Sequence, residues 1–261
     1  FIKSVDGGST WSSPATVASN VGTGVNLSIY VVDSNTMYVA YTDLSVGLKV
    51  AKSTDGGSTW GSGVTADSSP GKVYGIAPRM KVVGSTVFVI ASGLEGTDPG
   101  TSELIVRFSK STDGGATWAS STIESGLSTG AGDGVDPSIY AVDASTLFAA
   151  YYKSSTGDLK FAKSTNGGTS WTTSAVQTTG NVGQYASVAA TSSSMIFITH
   201  KDVDNADVKL ERSENGGSTW ASSTSLDTAN SVGDGNSIGA VSSGTTTYTV
   251  YTAYKDSTAF T

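Results

Sequence analysis

The side chains able to do chemistry are few, and the arginines are the most telling. Arg79, Arg107 and Arg212 are the whole guanidinium complement of a chain of 261 residues. A guanidinium holds a carboxylate through two parallel hydrogen bonds, which an ammonium cannot do. An anion site built on several arginines would therefore need nearly all of them. Arg107 stands where comparable segments carry Lys49, Lys160 and Lys209, and Arg212 where they carry Lys3, Lys52, Lys110 and Lys163. Both belong to a recurring basic position and are expected on a strand surface, away from any shared centre. Arg79 breaks the pattern, because Ser28-Ile29, Ser138-Ile139 or Ser187 occupy the comparable place. It is expected either to bind an anion or to pair with a nearby acid, Glu95 or Asp98.

Two further groups are candidates. Asp202-Val203-Asp204-Asn205-Ala206-Asp207 sets oxygen ligands at alternating positions, which suits Ca2+ through Asp202, Asp204 and Asp207. It lacks the spacing and the glycine of an EF-hand, and a solvated acidic loop is the alternative. His200 is the only histidine and lies beside it. A lone histidine is more often structural or exposed than catalytic. Arg79, Glu95, Asp98, Asp136 and His200 form the candidate ligand set. No cofactor is required, with Ca2+ as the one possibility. Tyr41, Tyr74, Tyr151, Tyr152, Tyr185 and Tyr254 could stack on sugars, with at least half expected to pack between strands.

The elements that must position these residues recur. Five near-copies of one loop mark the chain: Ser4 to Trp11, Ser53 to Trp60, Ser111 to Trp118, Ser164 to Trp171 and Ser213 to Trp220. A period near 50 residues in a strand-rich chain points to a propeller or another repeat array. In the second unit, Leu27 to Val32, Met37 to Thr42 and Leu48 to Lys52 read as strands, with a weak polar fourth after Trp60. The fourth unit repeats this at Ser138 to Val142, Leu147 to Tyr152 and Leu159 to Lys163. Four antiparallel strands per unit, set radially, make an all-β propeller blade. Residues 1–261 read as one such domain. Ser237 to Val241 and Thr247 to Tyr254 resemble the first two strands of a unit, and Phe260-Thr261 followed by Phe1 to Ser4 matches a third. Five blades with one shared between the two ends are expected, the alternative being part of a six-bladed ring.

Composition narrows the partners. A net charge of -7 opposes nucleic acid and anionic membrane, because counterion-release binding needs clustered cations. No apolar run approaches the length of a membrane span. With no cysteine, neither disulfides nor a thiolate metal site can form. The hydroxyl-rich composition suits a secreted or surface protein. Phe1 at the start, with no visible signal peptide, suggests a processed chain or an excerpt.

Within each loop, Asp6, Asp55, Asp113, Asn166 or Asn215 can accept backbone hydrogen bonds a few residues on. The glycine pair allows positive φ, and Trp11, Trp60, Trp118, Trp171 or Trp220 is the apolar anchor. The motif resembles the Asp box, or BNR repeat, of sialidases and related propellers, and the resemblance covers all five units. It implies that these ten residues are structural and lie away from any active site. A sialidase-like site, by the same resemblance, needs three converging arginines, a tyrosine nucleophile paired with a carboxylate, and an aspartate acid/base. That set has no matching motifs here, so no catalytic residue is assigned.

In such blades the ligand face carries the loops 65–77, 93–102, 124–136, 153–157 and 202–207. The third unit is longest there, with 58 residues from Trp60 to Trp118, through the insertion 93–100. The expected function is a non-catalytic extracellular or surface module that binds a glycan or a protein, or serves structural display. The alternative is a divergent sialidase-like glycoside hydrolase.

Overall fold

A computed structural model describes all residues except 20, 22–25, 44, 69–72, 96–102, 129–134, 230–231, 245 and 257–261, and only the backbone of 73–76. None of the described residues is helical. The second unit forms β1 (Leu27–Val31), β2 (Met37–Asp43), β3 (Gly47–Ser53) and β4 (Val64–Asp67). The third forms β5 (Val73–Val83), β6 (Thr86–Glu95), β7 (Glu103–Ser111) and β8 (Ala119–Glu124). The fourth forms β9 (Ser138–Ala141), β10 (Leu147–Lys153), β11 (Asp158–Ser164) and β12 (Thr172–Gln177). The fifth forms β13 (Val182–Ala190), β14 (Ile196–Asp202), β15 (Asp207–Ser213) and β16 (Thr224–Asp227). Each is a four-stranded antiparallel meander, and β17 (Val232–Ser242) pairs with β18 (Tyr248–Asp256) in a sheet of two.

The core lies between these sheets. The second strand of each unit is buried on both faces, as in β2 and β10, which is why it reads as a continuous apolar run rather than an alternating one. Phe88, Ile90 and Phe108 of the third unit pack on Ile139, Leu147 and Tyr151 of the fourth. Phe148 and Phe161 of the fourth pack on Val188 and Ile198 of the fifth. Burying each such side chain contributes about 1.5–3 kcal/mol.

The Gly-Gly loops join neighbouring sheets. In the second unit Ser53 Oγ donates to Asp55 Oδ1 (2.9 Å) and accepts from the Gly57 N–H (2.8 Å). Thr59 donates its N–H to Oδ1 and its hydroxyl to Oδ2 of the same aspartate. The Gly56 N–H then donates to the Asn35 carbonyl in the turn between β1 and β2. Gly114, Gly167 and Gly216 repeat this to Ser85, Ser145 and Ser194. The preceding unit adds a cation: Lys3 Nζ donates to the Gly56 carbonyl (2.7 Å), and Lys163 Nζ to that of Gly216 (3.1 Å). Its aromatic ring lies under the glycines. A Cβ added at Gly168, where φ is 83°, would come within 2.0 Å of the Phe108 ring. Trp171 meets Phe108 edge-on at 5.2 Å, and Trp220 meets Phe161 the same way.

A second latch closes the far end of each interface. Asp67, at the end of β4, receives Arg107 Nε and Nη2 at 2.8 and 2.9 Å. Arg107 is thus no free surface residue, contrary to the sequence expectation; it clamps the third sheet to the second. Alignment with lysines hid this, because the partner lies in the adjacent unit. Glu124, at the end of β8, receives the Tyr151 hydroxyl (2.6 Å) and Lys153 (3.2 Å) from the fourth unit. Asp227 receives the Tyr254 hydroxyl (2.6 Å) from β18.

The ends of the chain depart from expectation. Phe1 to Ser4 form no assigned strand, although the first loop's arms bond to each other, Ser12 N–H to Lys3 O and Ala15 N–H to Phe1 O. Trp11 is 61% exposed rather than an anchor, and no atom lies within 4 Å of a Cβ built at Gly7 or Gly8. Among the described residues no third strand pairs with β18. Phe260 and Thr261, expected to help supply it, lie outside them.

Candidate functional site at the sheet axis

The first strands of the third, fourth and fifth units and β17 meet around one cavity. The same local kink introduces each. Ala77, Asp136 and Tyr185 have φ of 48°, 33° and 53°, and Gly235, at the comparable place, has 63°. Positive φ is uncommon for a residue with a side chain, and three such residues at equivalent positions mark a constrained rim. In β5, β13 and β17 the ladder shifts register there, as a bulge does when it re-aims a side chain.

Two residues further on, serine is the rule. Ser138 Oγ accepts the Val188 N–H (3.1 Å), and Ser187 Oγ accepts the Ile238 N–H (3.2 Å), so each serine holds the next inner strand. Arg79 takes that place in β5. Its Nη1 donates to the Pro78 carbonyl at 3.0 Å, and the side chain opens into the cavity.

The cavity has a volume of about 200 Å3 and is lined by Arg79, Asp136, Ser138, Tyr185, Ser187 and Asn236, with Ala186 and Gly235. Burial pushes the Asp136 carboxyl above its ordinary range, against the opposing charge of Arg79. Burial also raises the Tyr185 phenol, and the charges of Asp234 and Asp136 raise it further. Asp234 itself holds Lys201 Nζ at 2.6 Å. The amide oxygen and nitrogen of Asn236 are buried and have no hydrogen-bond partner among the described residues. An unsatisfied buried amide costs about 1–3 kcal/mol, so it marks a place where a partner belongs.

Larger clefts of about 570 and 440 Å3 lie between the Gly-Gly loops and the preceding sheet. Their walls are repeat residues, Lys52 with Gly114 in one and Lys163 with Gly216 in the other. They recur because the interface recurs. The cavity, by contrast, adds unlike side chains, Arg79, Asp136, Tyr185 and Asn236, to the repeated Ser138 and Ser187.

Of the candidate ligand residues, the structure brings together Arg79 and Asp136. The charge of Arg79 reaches Asp136 of the next unit, while Glu95 ends β6 and is not among the residues that line the cavity. Asp98 lies outside the described residues. His200 is fully buried inside the fifth sheet, its Nε2 3.1 Å from Glu211 Oε1 and its Nδ1 3.3 Å from the Lys201 carbonyl. It is structural, and its place on an apolar second strand accounts for its burial. Asp202, Asp204 and Asp207 do not converge. Asp202 binds Lys209 and Asn205, and Asp204 accepts the Asn181 N–H at 2.8 Å. Asp207 is buried opposite Asp202 on the ladder. Among the described residues no group of three or more acidic or histidine side chains is placed to hold a metal. Alternating acids look like a ligand set in sequence, but Asp202 serves as an acceptor within the tight turn between β14 and β15, and Asp204 reaches the neighbouring loop at Asn181.

Asp6, Asp55, Asp113, Asn166 and Asn215 sit in their loops, remote from the cavity lining. Tyr41, Tyr151 and Tyr152 are buried between sheets, and only Tyr185 lines the cavity. The side chain of Tyr74 lies outside the described residues. Sequence reasoning missed Asn236 as a site residue. Its signal was positional: it precedes Ser237 where Pro78, Pro137 and Ala186 precede the equivalent residues.

No protein-family model matches the chain, and no curated protein matches it. Solved structures do resemble it. The Hadza microbial sialidase Hz136 superposes with a TM-score of 0.60 at 17% identity, over 91% of this chain and 54% of that one. The GH93 α-L-arabinofuranosidase of Fusarium graminearum, in complex with arabinobiose, superposes at 0.61 and 14% identity, over 90% and 77%. The intramolecular trans-sialidase from Ruminococcus gnavus gives 0.56 at 15% identity, over 82% and 73%. The chain thus has a sialidase-like β-propeller fold, and it spans about half the length of the Hadza sialidase. At these identities the likeness concerns the fold alone.

Proposed function

We propose that this protein is a carbohydrate-binding propeller module that works outside the cell and does not cleave its ligand. The observation that carries this reading is the axial cavity, where Arg79, Asp136, Tyr185 and the unpartnered Asn236 amide converge from four sheets. Sugars are recognised by such sets of donors and acceptors on a rigid concave scaffold. The sialidase and arabinofuranosidase neighbours support a sugar as the ligand. Acidic surface charge, and the lack among the described residues of any helix long and apolar enough to cross a membrane, agree with an extracellular setting but do not carry it.

Two features support binding without catalysis. The other arginines are engaged elsewhere, Arg107 on Asp67 and Arg212 on Glu214. Burial, and after it the charges of Asp234 and Asp136, disfavour the Tyr185 phenolate, the opposite of an activated nucleophile. The test is a glycan array followed by calorimetry. Binding that disappears in Arg79→Ala and Asn236→Ala, with no sugar released over days, is the expected result. One observation favours a hydrolase instead: burial raises the Asp136 carboxyl against the opposing charge of Arg79, the direction in which a general acid is tuned. Turnover of an aryl arabinoside or sialoside that is lost in Asp136→Asn would establish that reading.

The same framework supports reading the five loops as Asp boxes, and the first of them as the missing piece of the terminal sheet. Arg212 occupies the loop-holding basic position of the fifth unit and holds only its own Glu214. The first loop has free glycines and an exposed Trp11. Docking of that loop on Arg212, with Phe1 to Ser4 beside β18, would close a five-bladed ring. Quenching of Trp11 fluorescence that is relieved in Arg212→Ala tests it; a Trp11 as exposed in solution as free tryptophan overturns it.

A further inference from the structure

We infer that the axial cavity selects a neutral, hydroxyl-rich sugar ring and turns away sugars that carry a carboxylate, with Asp136 as the discriminating residue. This rests on the carbohydrate-binding reading and concerns the same cavity.

The argument is one of charge and of donor–acceptor balance. The cavity holds one guanidinium, Arg79, and one carboxylate, Asp136, on adjoining inner strands. Asp234 stands close enough for its charge to reach Tyr185, and Lys201 already pairs with it. Arg79 has committed one nitrogen to the Pro78 carbonyl. A ligand carboxylate arriving at Arg79 would enter beside Asp136, and like charges at such separation disfavour each other's ionised form. No second guanidinium reaches the cavity to offset this, since Arg107 is held by Asp67 and Arg212 by Glu214.

Hydrogen bonding points the same way. Asp136 and Asn236 Oδ1 are acceptors that need donors, whereas a ligand carboxylate only accepts. A hydroxyl both donates and accepts. Separate hydroxyls of one ring can donate to Asn236 Oδ1 and to Asp136 while accepting from Asn236 Nδ2 or Arg79. Ser138 and Ser187 already accept backbone N–H groups, so each has its own O–H left to donate. The volume of about 200 Å3 lies below the roughly 300–1,000 Å3 typical of drug-sized ligands, which suits one ring rather than a chain. Rejecting a charged competitor by a fixed like charge is specificity by repulsion.

The test compares two single-ring probes by calorimetry at pH 7, L-arabinose and N-acetylneuraminic acid, on the wild type, on Asp136→Asn and on Asp136→Ser. Asparagine keeps the shape and tolerates the positive φ at this position. The expected wild-type result is L-arabinose bound at least tenfold more tightly, with that ratio falling at least tenfold in either variant. Equal or tighter binding of the acidic sugar by the wild type overturns the inference and leaves the carbohydrate-binding reading standing. A neutral preference that survives in both variants overturns the role of Asp136. Binding of neither sugar, with none found on the array, defeats the underlying reading and this inference with it. Should one variant fail to fold, as seen by circular dichroism, the other and the wild-type ratio decide.

Discussion

Two series of repeated positions run through this molecule, and they differ in how strictly they repeat. In the outer series the Gly-Gly loops of the second to fifth units keep the same backbone N–H bond, whether the acceptor is Asp113 or Asn166. In the inner series the position that holds the next strand is serine in Ser138 and Ser187 but arginine in Arg79. A repeat under purely structural demand keeps its bond, whichever residue supplies it. A departure at one copy, aimed into a cavity, means that a different demand acts there. Substitutions in the outer series should change stability and leave binding alone, and those in the inner series should do the reverse.

The largest expected effect is at the latch between the second and third sheets. Arg107→Ala leaves Asp67, whose side chain is 1% exposed, as a buried charge without its bidentate partner. Removing one member of a buried pair costs about 3–5 kcal/mol. Urea unfolding should show a midpoint lowered to match, while sugar binding at the axis stays within twofold. Unchanged stability would mean that the latch is ornamental. Gly168→Ala follows. The added methyl meets the Phe108 ring, and the φ of 83° suits no other residue well. Overpacking of this kind costs about 1–3 kcal/mol, read from the same unfolding curves.

Acid separates the two kinds of outer loop. Asp55 is held down to about 2 first by the Thr59 hydroxyl and then by the Thr59 N–H. Its folded value lies below its unfolded one, so its contribution is fully present above pH 4 and is lost as pH falls towards 2. Asn166 and Asn215 do not titrate. They turn one bond round, donating from Nδ2 to Ser170 Oγ and Thr219 Oγ1 where the aspartates accept. Asp55→Asn should therefore flatten the loss of thermal stability between pH 4 and pH 2, with little change at pH 7. An unchanged acid limb would show that this loop does not couple to unfolding.

The outer series was legible in the sequence because its contacts are local. Serine, aspartate and threonine within seven residues close one hydrogen-bond ring, and alternation at Leu48 to Lys52 gives the strand beside it. The latches were not legible. Arg107 and Asp67 lie 40 residues apart, in different units, and alignment of one unit on another cannot say which faces meet. The cavity lies between these extremes. Arg79 stood out as an exception to the repeat, but Asn236 has an ordinary neighbourhood and is notable only for what it lacks in three dimensions. The acids from Asp202 to Asp207 misled for the converse reason: a pattern suited to a metal is equally suited to a tight turn.

The smallest expected change in stability is the sharpest test of the comparison. Arg79→Ser restores the residue that the other inner strands carry. By analogy with Ser138 and Ser187, the new hydroxyl can accept the Ile139 N–H, a bond that contributes about 0.5–1.5 kcal/mol. It also relieves Asp136 of its cation, which offsets part of that gain. The net expected effect is between no change and about 1 kcal/mol of stabilisation in urea unfolding, together with at least tenfold weaker sugar binding. A variant destabilised by more than about 2 kcal/mol would place Arg79 among the scaffold residues, as a strut for Asp136. Arginine in place of serine would then be one more way of building an interface between sheets, and the distinction between the two series would fail at the residue that suggested it.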